Sequence, residues 1–555
     1  MGTRTSLLLA AAAAGLCALT VAVAPVDAQP APQVFRPKPP PVQTQRFGDL
    51  AEGPFNRLVL RNVMVLPGHG GPPTGPHDIL IEGNLIREMR SFDPVAAERA
   101  RQAGQPIDRW TGDRVIEGEG MYVMPGMWDL HHHVRGVRGE SVSLEYTYYL
   151  KLAHGVTTTV PATDGRFEQI AADHAAAERY QKLAPRMFPI WGWGRGANVT
   201  REQRENPAEA PRIAREMVRQ GARVVSVGGL AWSPELFGAV CKAVWEAGGT
   251  TTVHIPPSDI AMVNAVDAAR LGVTFIEHHY GYAESALPRA TQNFPRDYHY
   301  DDFHNRFRQA GRVWEEAGWN PETRRQLLEM VADSLVHYGV TMLPTRVVYE
   351  VNRDVLRAQS LPWHAKYTHR ALMNGSGVGS PFYLYNWSHD DEESWRYAFD
   401  LWAQLIYQFN KRGGRVAMGT DDNNFWSTGG FSNVRELQLV RESGMHSLEV
   451  LKAATYNSAQ TLREPNLGSV RPGYLADLVM VDGNPVENFQ YLYAFGALRM
   501  NDRGELYRTR GIVHTIKDGV VLENANLMRE VARMVEESKR GAEPLITEIP
   551  FLPGR

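Results

Sequence analysis

The chain has 555 residues, a formal net charge of -3, 43% hydrophobic residues and 22% charged residues. This length exceeds what one small core needs and predicts one large domain with attachments or two domains, and the composition is that of an ordinary globular protein. The near-neutral charge removes any electrostatic case for nucleic acid or an anionic membrane as a partner, so a small-molecule substrate is expected, with a homo-oligomer left open.

In chain order, residues 1–28 carry one arginine and a long apolar run, and end in Val26-Asp27-Ala28, a small-residue cleavage pattern. They read as a signal peptide that sends the mature protein to the periplasm or the medium. The rival is an uncleaved anchor, because the run is nearly long enough to span a bilayer. Lipidation at Cys17 is disfavoured by the bulky Leu16 before it. Signal removal leaves Cys241 alone, which excludes an intramolecular disulfide. Set among Phe237, Val240 and Val244, Cys241 reads as buried filler.

Residues 29–53 form a Pro-rich linker, "QPAPQVFRPKPPPVQTQ" and its flank, with no core of its own. Short β-like runs separated by Gly and Pro turns then occupy 54–123 and return over 465–525, which predicts one small β-sandwich built from both segments. Residues 526–555 are a C-terminal helix and tail. The stretch between, 124–464, alternates strand-like and helix-like segments. Eight strand candidates can be counted, at "YVMPGMWDLHH", "VTTTVPA", "MFPIWG", "ARVVSVG", "TTTVHI", "VTFIEH", "VTMLPT" and "RVAMGTD". One of the helices between them, "SPELFGAVCKAVWEAGG", has Ser233 to cap it, Pro234 in its first turn and Gly248 to end it. Eight strands with intervening helices are the count of a (β/α)8 barrel; a doubly wound sheet is the alternative.

In a barrel the catalytic groups sit at the C-terminal strand ends. The first strand ends with His131 and His133, the fifth with His254, the sixth with His278 and His279, and the eighth with Asp421 and Asp422. Residues i and i+2 of a strand share a face, so His131 and His133 can point inward together while His132 faces away. Imidazoles with a carboxylate suit one zinc ion, with iron, manganese or cobalt as alternatives. The expected ligands are His131, His133, His254 and Asp421.

On these motifs the sequence resembles the amidohydrolase superfamily, in an exported branch akin to imidazolonepropionases and prolidases. "PGMWDLHHH" resembles its first-strand motif, "HGVTTTV" its second strand, "IEH" its sixth and "GTD" its eighth, and the segment through "LGSVRPGYLADLVMVDGN" resembles its return into the β-domain. The resemblance implies a water activated by a divalent metal, Asp421 as general acid/base, and His278 orienting water or polarising the substrate. Two departures matter. Binuclear members carry a bridging lysine on strand four, where this chain has Ser226 in "GARVVSVGGL", which predicts a mononuclear site with His278 outside the ligand set. Many deaminases place a glutamate three residues after the strand-five histidine, where this chain has Pro257, which favours hydrolysis of an amide, peptide or cyclic amide. Ester or lactone hydrolysis, or a degenerate barrel that binds without turnover, are the rivals.

Other residues read more plainly. His132 is expected to pack, Asp129 to support the first-strand turn, Asp422 to sit behind Asp421, and Asp164 to serve a turn. A slip of one residue would exchange His278 for His279. Arg195 and Arg346, after strands three and seven, are candidate holders of a substrate carboxylate. The long connections 281–338 and 346–395, rich in aromatics, predict a lid or pocket wall, or else a solvated insertion or dimer contact.

Overall fold

The computed structural model describes residues 47–134, 142–162, 166–287, 309–315, 321–374, 387–423 and 426–541. The signal peptide, the linker up to position 46, Asp164 and most of the aromatic-rich loop motifs lie outside the described residues. Among the described residues, no helix is long and apolar enough to cross a membrane.

Gly126 is the joint between the two parts of the structure. A Cβ there would lie 2.1 Å from the Thr157 hydroxyl, so glycine alone lets the chain pass so close from the strand Met121–Pro125 into β1, Met127–His133. There follow β2 (Val156–Ala162), β3 in two pieces (Arg186–Met187 and Ile190–Gly192), β4 (Val224–Ser226) and β5 (Thr250–Val253). The set ends with β6 (Phe275–Glu277), β7 (Thr341–Leu343) and β8 (Arg415–Val416). Neighbours in sequence pair in parallel, the first piece of β3 with β2 and the second with β4. Beyond β8 the chain bonds back to β1: Leu130 N donates to Met418 O at 2.8 Å, and Thr420 N to His131 O at 2.9 Å. The strands are apolar or Thr-rich and buried almost throughout, as parallel strands covered by helices must be. The helix Pro234–Glu246 shows how the punctuation works: Ser233 Oγ accepts from Leu236 N at 3.4 Å, and Gly248 leaves the helix at φ 96°.

The flanking segments form one nine-stranded sheet, where the sequence suggested a sandwich. Its order runs Ala51–Glu52, Val520–Glu523, Gly511–Lys517, Leu478–Asp482, Met121–Pro125, Arg57–Val65, Thr74–Glu82, Leu85–Ser91, with Arg114–Glu117 also on Arg57–Val65. Leu58, Leu60, Ile79, Ile81, Met480 and Ile516 form its buried apolar side. The C-terminal helix Asn524–Lys539 ties this sheet to the rest, because Asn524 Nδ2 donates to Ala153 O at 2.8 Å. The connection after β7 turns into the helix Arg346–Arg353 at once, and the connection before β8 holds the long helix His389–Lys411.

Candidate metal centre

His131 and His133 on β1 meet Asp421, which follows β8. His131 Nε2 lies 3.4 Å, and His133 Nε2 2.9 Å, from the same Asp421 oxygen, Oδ1. Ligands about 2.0–2.2 Å from a tetrahedral zinc stand about 3.3 Å apart, so three donors with this spacing fit such an ion. All three donor atoms lie within 4.8 Å of one another. On its other side, His131 Nδ1 is 3.1 Å from Glu277 Oε1 on β6, and Glu277 also accepts from Thr252 Oγ1 at 2.6 Å. A carboxylate this close favours a proton on Nδ1, which leaves Nε2 free to coordinate.

The charges point the same way. Burial by itself would lower the His131 pKa, but Glu277 and Asp421 override it and raise it well above the imidazole range. Burial would raise Asp421, yet His131 and His133 hold it well below the carboxylate range. Glu277 is likewise brought down to about 2 against its burial, chiefly by His131. Two buried carboxylates thus face imidazoles that must take up positive charge to satisfy them, a place where a bound cation substitutes for protons.

His278 joins this cluster. Its ring centroid is 4.9 Å from that of His131 and 4.7 Å from that of His254, the residue after β5. Its Nδ1 is 2.8 Å from Thr345 Oγ1 and 3.7 Å from Asp421 Oδ2. His254 thus lies beside His278, and among the described residues two groups of three donors are close enough to hold an ion, His131 with His133 and Asp421 and His131 with Glu277 and His278. His278, Thr345 and Asp421 all have left-handed backbones, with φ of 67°, 53° and 52°. Non-glycine residues hold that conformation only under constraint, and it concentrates at working sites. His279, one residue on, turns away among Tyr280, Tyr349, Trp395 and Trp402. Burial drives its pKa down to about 3, so it packs as a neutral ring.

Behind the cluster the same two strands form a second polar site. Lys151, fully buried on the helix Leu144–Ala153, donates to Asp129 Oδ2 and Asp422 Oδ2, both at 2.6 Å, and to Asn433 Oδ1 at 2.9 Å. Asp129 also accepts from Thr420 Oγ1 at 2.7 Å and from the His131 and Thr420 amides at 3.2 and 3.1 Å. A register shift in the β1–β2 pairing between Asp129 and His132 breaks the strict alternation, and Asp129 reaches the helix layer while His131 reaches across to β6. Burial and Lys151 together push His132 down to about 3.

The remaining candidates fall elsewhere. Ser226 ends β4 in register with Thr252. The structure does not bring Arg346 to the cluster: its guanidinium is buried and donates to Leu439 O, Ser443 Oγ and Phe399 O at 3.2, 2.8 and 2.9 Å. A helix begins at Arg346, and that backbone turns the side chain back into the packing. Arg195 lies over the Phe167 ring with Glu168 at 3.7 Å. Cys241 is buried and its thiol is pushed up to about 12 by burial, as packing filler would be. Glu277 and Lys151 were not singled out from the sequence. Each is a lone charge in an apolar run, "TFIEHH" and "YTYYLKLA", and that isolation was the available signal.

Parallel strands in sequential order, with imidazole and carboxylate donors gathered past their C-terminal ends, define an α/β protein with a candidate metal centre. A model described as the amidohydrolase family matches residues 405–522, the part of the chain that holds the Gly-Thr-Asp after β8 and the return into the β-domain. Adenine deaminase of Geobacillus kaustophilus (strain HTA426) is 31% identical over 96 residues, which are 17% of this chain and 16% of that protein. Ochratoxinase of Aspergillus niger is 36% identical over 83 residues, 14% of this chain and 16% of that one. The chain thus matches 16% of the length of these curated relatives. The crystal structure of A. niger ochratoxinase superposes with a TM-score of 0.51 at 17% identity, covering 86% of this chain and 96% of that one. A Xaa-Pro dipeptidase with bound methionine gives 0.53 at 18%, covering 84% and 100%. At these identities the structural likeness speaks for the fold.

Proposed function

We propose that the protein is an exported hydrolase of C-N bonds in N-acyl, dipeptide or cyclic amide substrates, built on a (β/α)8 barrel and dependent on one divalent ion, most simply zinc. The observation that carries this reading is the convergence of His131 Nε2, His133 Nε2 and Asp421 Oδ1, with Glu277 on the far nitrogen of His131. The amide-hydrolase names of several structural relatives agree with it. Ser226 in place of a lysine on β4 supports a single ion, and the apolar N-terminal run with its small-residue end supports export.

When bound, the ion would supply Lewis acidity toward water and the substrate carbonyl. Asp421 accepts the proton of the attacking water and returns it to the leaving nitrogen, a role suited to a buried carboxylate whose second oxygen faces His278. Glu277 keeps His131 oriented. His278, whose pKa burial lowers far below the imidazole range, stays neutral and can donate a hydrogen bond to the carbonyl oxygen without carrying charge.

The test is hydrolysis of a panel of N-acyl amino acids, dipeptides, cyclic amides and matching esters by zinc-loaded mature protein, with metal stoichiometry measured alongside. Amide cleavage by wild type that is lost in Asp421→Asn, at one ion per chain, is expected. Turnover of esters alone would overturn the C-N assignment, and two tightly held ions per chain would overturn the single-ion site.

A further inference from the structure

A cavity of about 370 Å³ opens at the ends of β3 and β4, lined by Gly192, Trp193, Arg204, Ser226, Leu230 and Trp232. It adjoins the histidine cluster. Ser226 is in register with Thr252 on β5, two residues before His254. The turn Gly228–Leu230 packs on His254 itself, because a Cβ on Gly228 would lie 2.8 Å from His254 O. The volume is that of a small organic group.

The lining has one cation whose charge is unspent. Arg204 Nη1 donates to Trp193 O at 3.4 Å, and among the described residues no carboxylate lies within 4.0 Å of its guanidinium. Its aliphatic stem is held down at Gly194, where a Cβ would lie 2.0 Å from Arg204 Cδ and where φ is 74°. Neighbouring charges are already matched, Arg201 Nε with Glu205 Oε1 at 2.7 Å. Trp193, Leu230 and Trp232 supply the apolar part of the walls, and Arg201, Glu205 and Ser226 the polar part. Trp232 is 47% exposed, and its indole N–H is fixed on Gly229 O at 3.1 Å, which leaves ring surface in water for a ligand to cover.

We propose that this cavity is the subsite for an apolar or aromatic portion of the substrate that carries a free carboxylate, with Arg204 reading the carboxylate and Trp193, Leu230 and Trp232 enclosing the rest. The assignment rests on the reading of the adjoining cluster as the hydrolytic centre, and it names the substrate class: N-acyl amino acids and dipeptides with free C-termini, rather than their amides or neutral cyclic amides. It also assigns the role that the sequence suggested for Arg195 and Arg346 to a different arginine.

The probes are N-acetyl-L-phenylalanine and N-acetyl-L-phenylalanine amide, which differ only in the charged terminus. Their binding to Asp421→Asn protein, kept in excess zinc because the substitution also removes a ligand, is measured by calorimetry and by quenching of tryptophan fluorescence. A charge-assisted hydrogen bond is worth enough to give the carboxylate an advantage of about tenfold. Arg204→Met should reduce that ratio to about twofold or less, Arg204→Lys should keep part of it, and Arg215→Met, an exposed arginine paired with Glu246, should leave it intact. A melting curve for Arg204→Met guards against misfolding, and if that variant does not fold, a tenfold ratio surviving in Arg204→Lys and Arg204→Gln overturns the proposal. Equal binding of the two probes, or a ratio indifferent to Arg204, also overturns it. The two readings fail separately: carboxylate-selective binding without turnover of any panel member sinks the hydrolase and leaves the subsite, whereas turnover without carboxylate preference sinks the subsite alone.

Discussion

Strand β1 and the segment that follows β8 each contribute neighbouring residues to two buried polar sites that solve the same electrostatic problem in opposite ways. In one, Asp129 and Asp422 share Lys151, a cation that belongs to the chain and sits 2.6 Å from both. In the other, Asp421 and Glu277 lie against imidazoles, Glu277 accepting from Thr252 as well, and the donor atoms of His131, His133 and Asp421 converge on a common point. The first site is complete when the chain folds and acts as a clamp that holds the ends of β1 and β8 together. The second is arranged to take a cation from outside, which is what the proposed exchangeable metal requires. Buried carboxylates alone do not mark a working site; the difference lies in whether the chain brings its own counter-charge.

That contrast can be broken experimentally from either side. In the open site, Asp421→Asn should lower amide hydrolysis roughly a thousandfold, within the range for loss of a general acid/base, as read from kcat on the best panel substrate. In the closed site, Lys151→Met strands two buried carboxylates and should cost about 3–5 kcal/mol of stability, visible as a fall in the urea midpoint. Unchanged stability there would mean that the clamp is not one. Glu277→Gln should weaken zinc binding about 10–100-fold while the protein stays folded, since it removes the carboxylate that orients His131; competition with a chromophoric chelator reads this out. The smallest effect concerns pH. His279 and His132 titrate near 3 in the folded chain against about 6.5 when unfolded. The unfolded state therefore binds more protons between these values, so their contribution is intact above about pH 6.5 and is lost as pH falls toward about 3. His279→Phe should flatten the decline of the melting temperature over that window, and an unaltered slope would show that His279 is not held neutral.

Much of this was legible in the sequence where the signal is local. Strand after strand ended in the segments that carry Gly, Thr and alternating apolar residues, and the His-x-His of β1 and the Gly-Thr-Asp after β8 lie at strand ends because the loops begin there. His278 faces the cluster and His279 the aromatic cage because the backbone turns left-handed at His278, a choice that no spacing rule encodes. Lys151 and Glu277 were missed for a similar reason, since their partners lie far along the chain on other elements. Arg346 follows β7, as expected, yet position after a strand does not fix the direction of a long side chain, and a helix starting at that residue sends it into the packing. The nine-stranded sheet was seen as strands but not as a single sheet, because hydrogen-bond order between segments at opposite ends of the sequence leaves no local trace.

The placement of Met121–Pro125 has a consequence for how the chain is made. This strand pairs with Arg57–Val65 on one side and with Leu478–Asp482 on the other, and through Gly126 it leads straight into the strand that carries His131 and His133. During synthesis its second edge stays open until almost all of the described chain has left the ribosome. An unpaired edge of apolar residues is a template for association with other chains, and contacts so distant in sequence are slow to form. The strand that carries His131 and His133 is thus anchored late, after most of the described chain has been made.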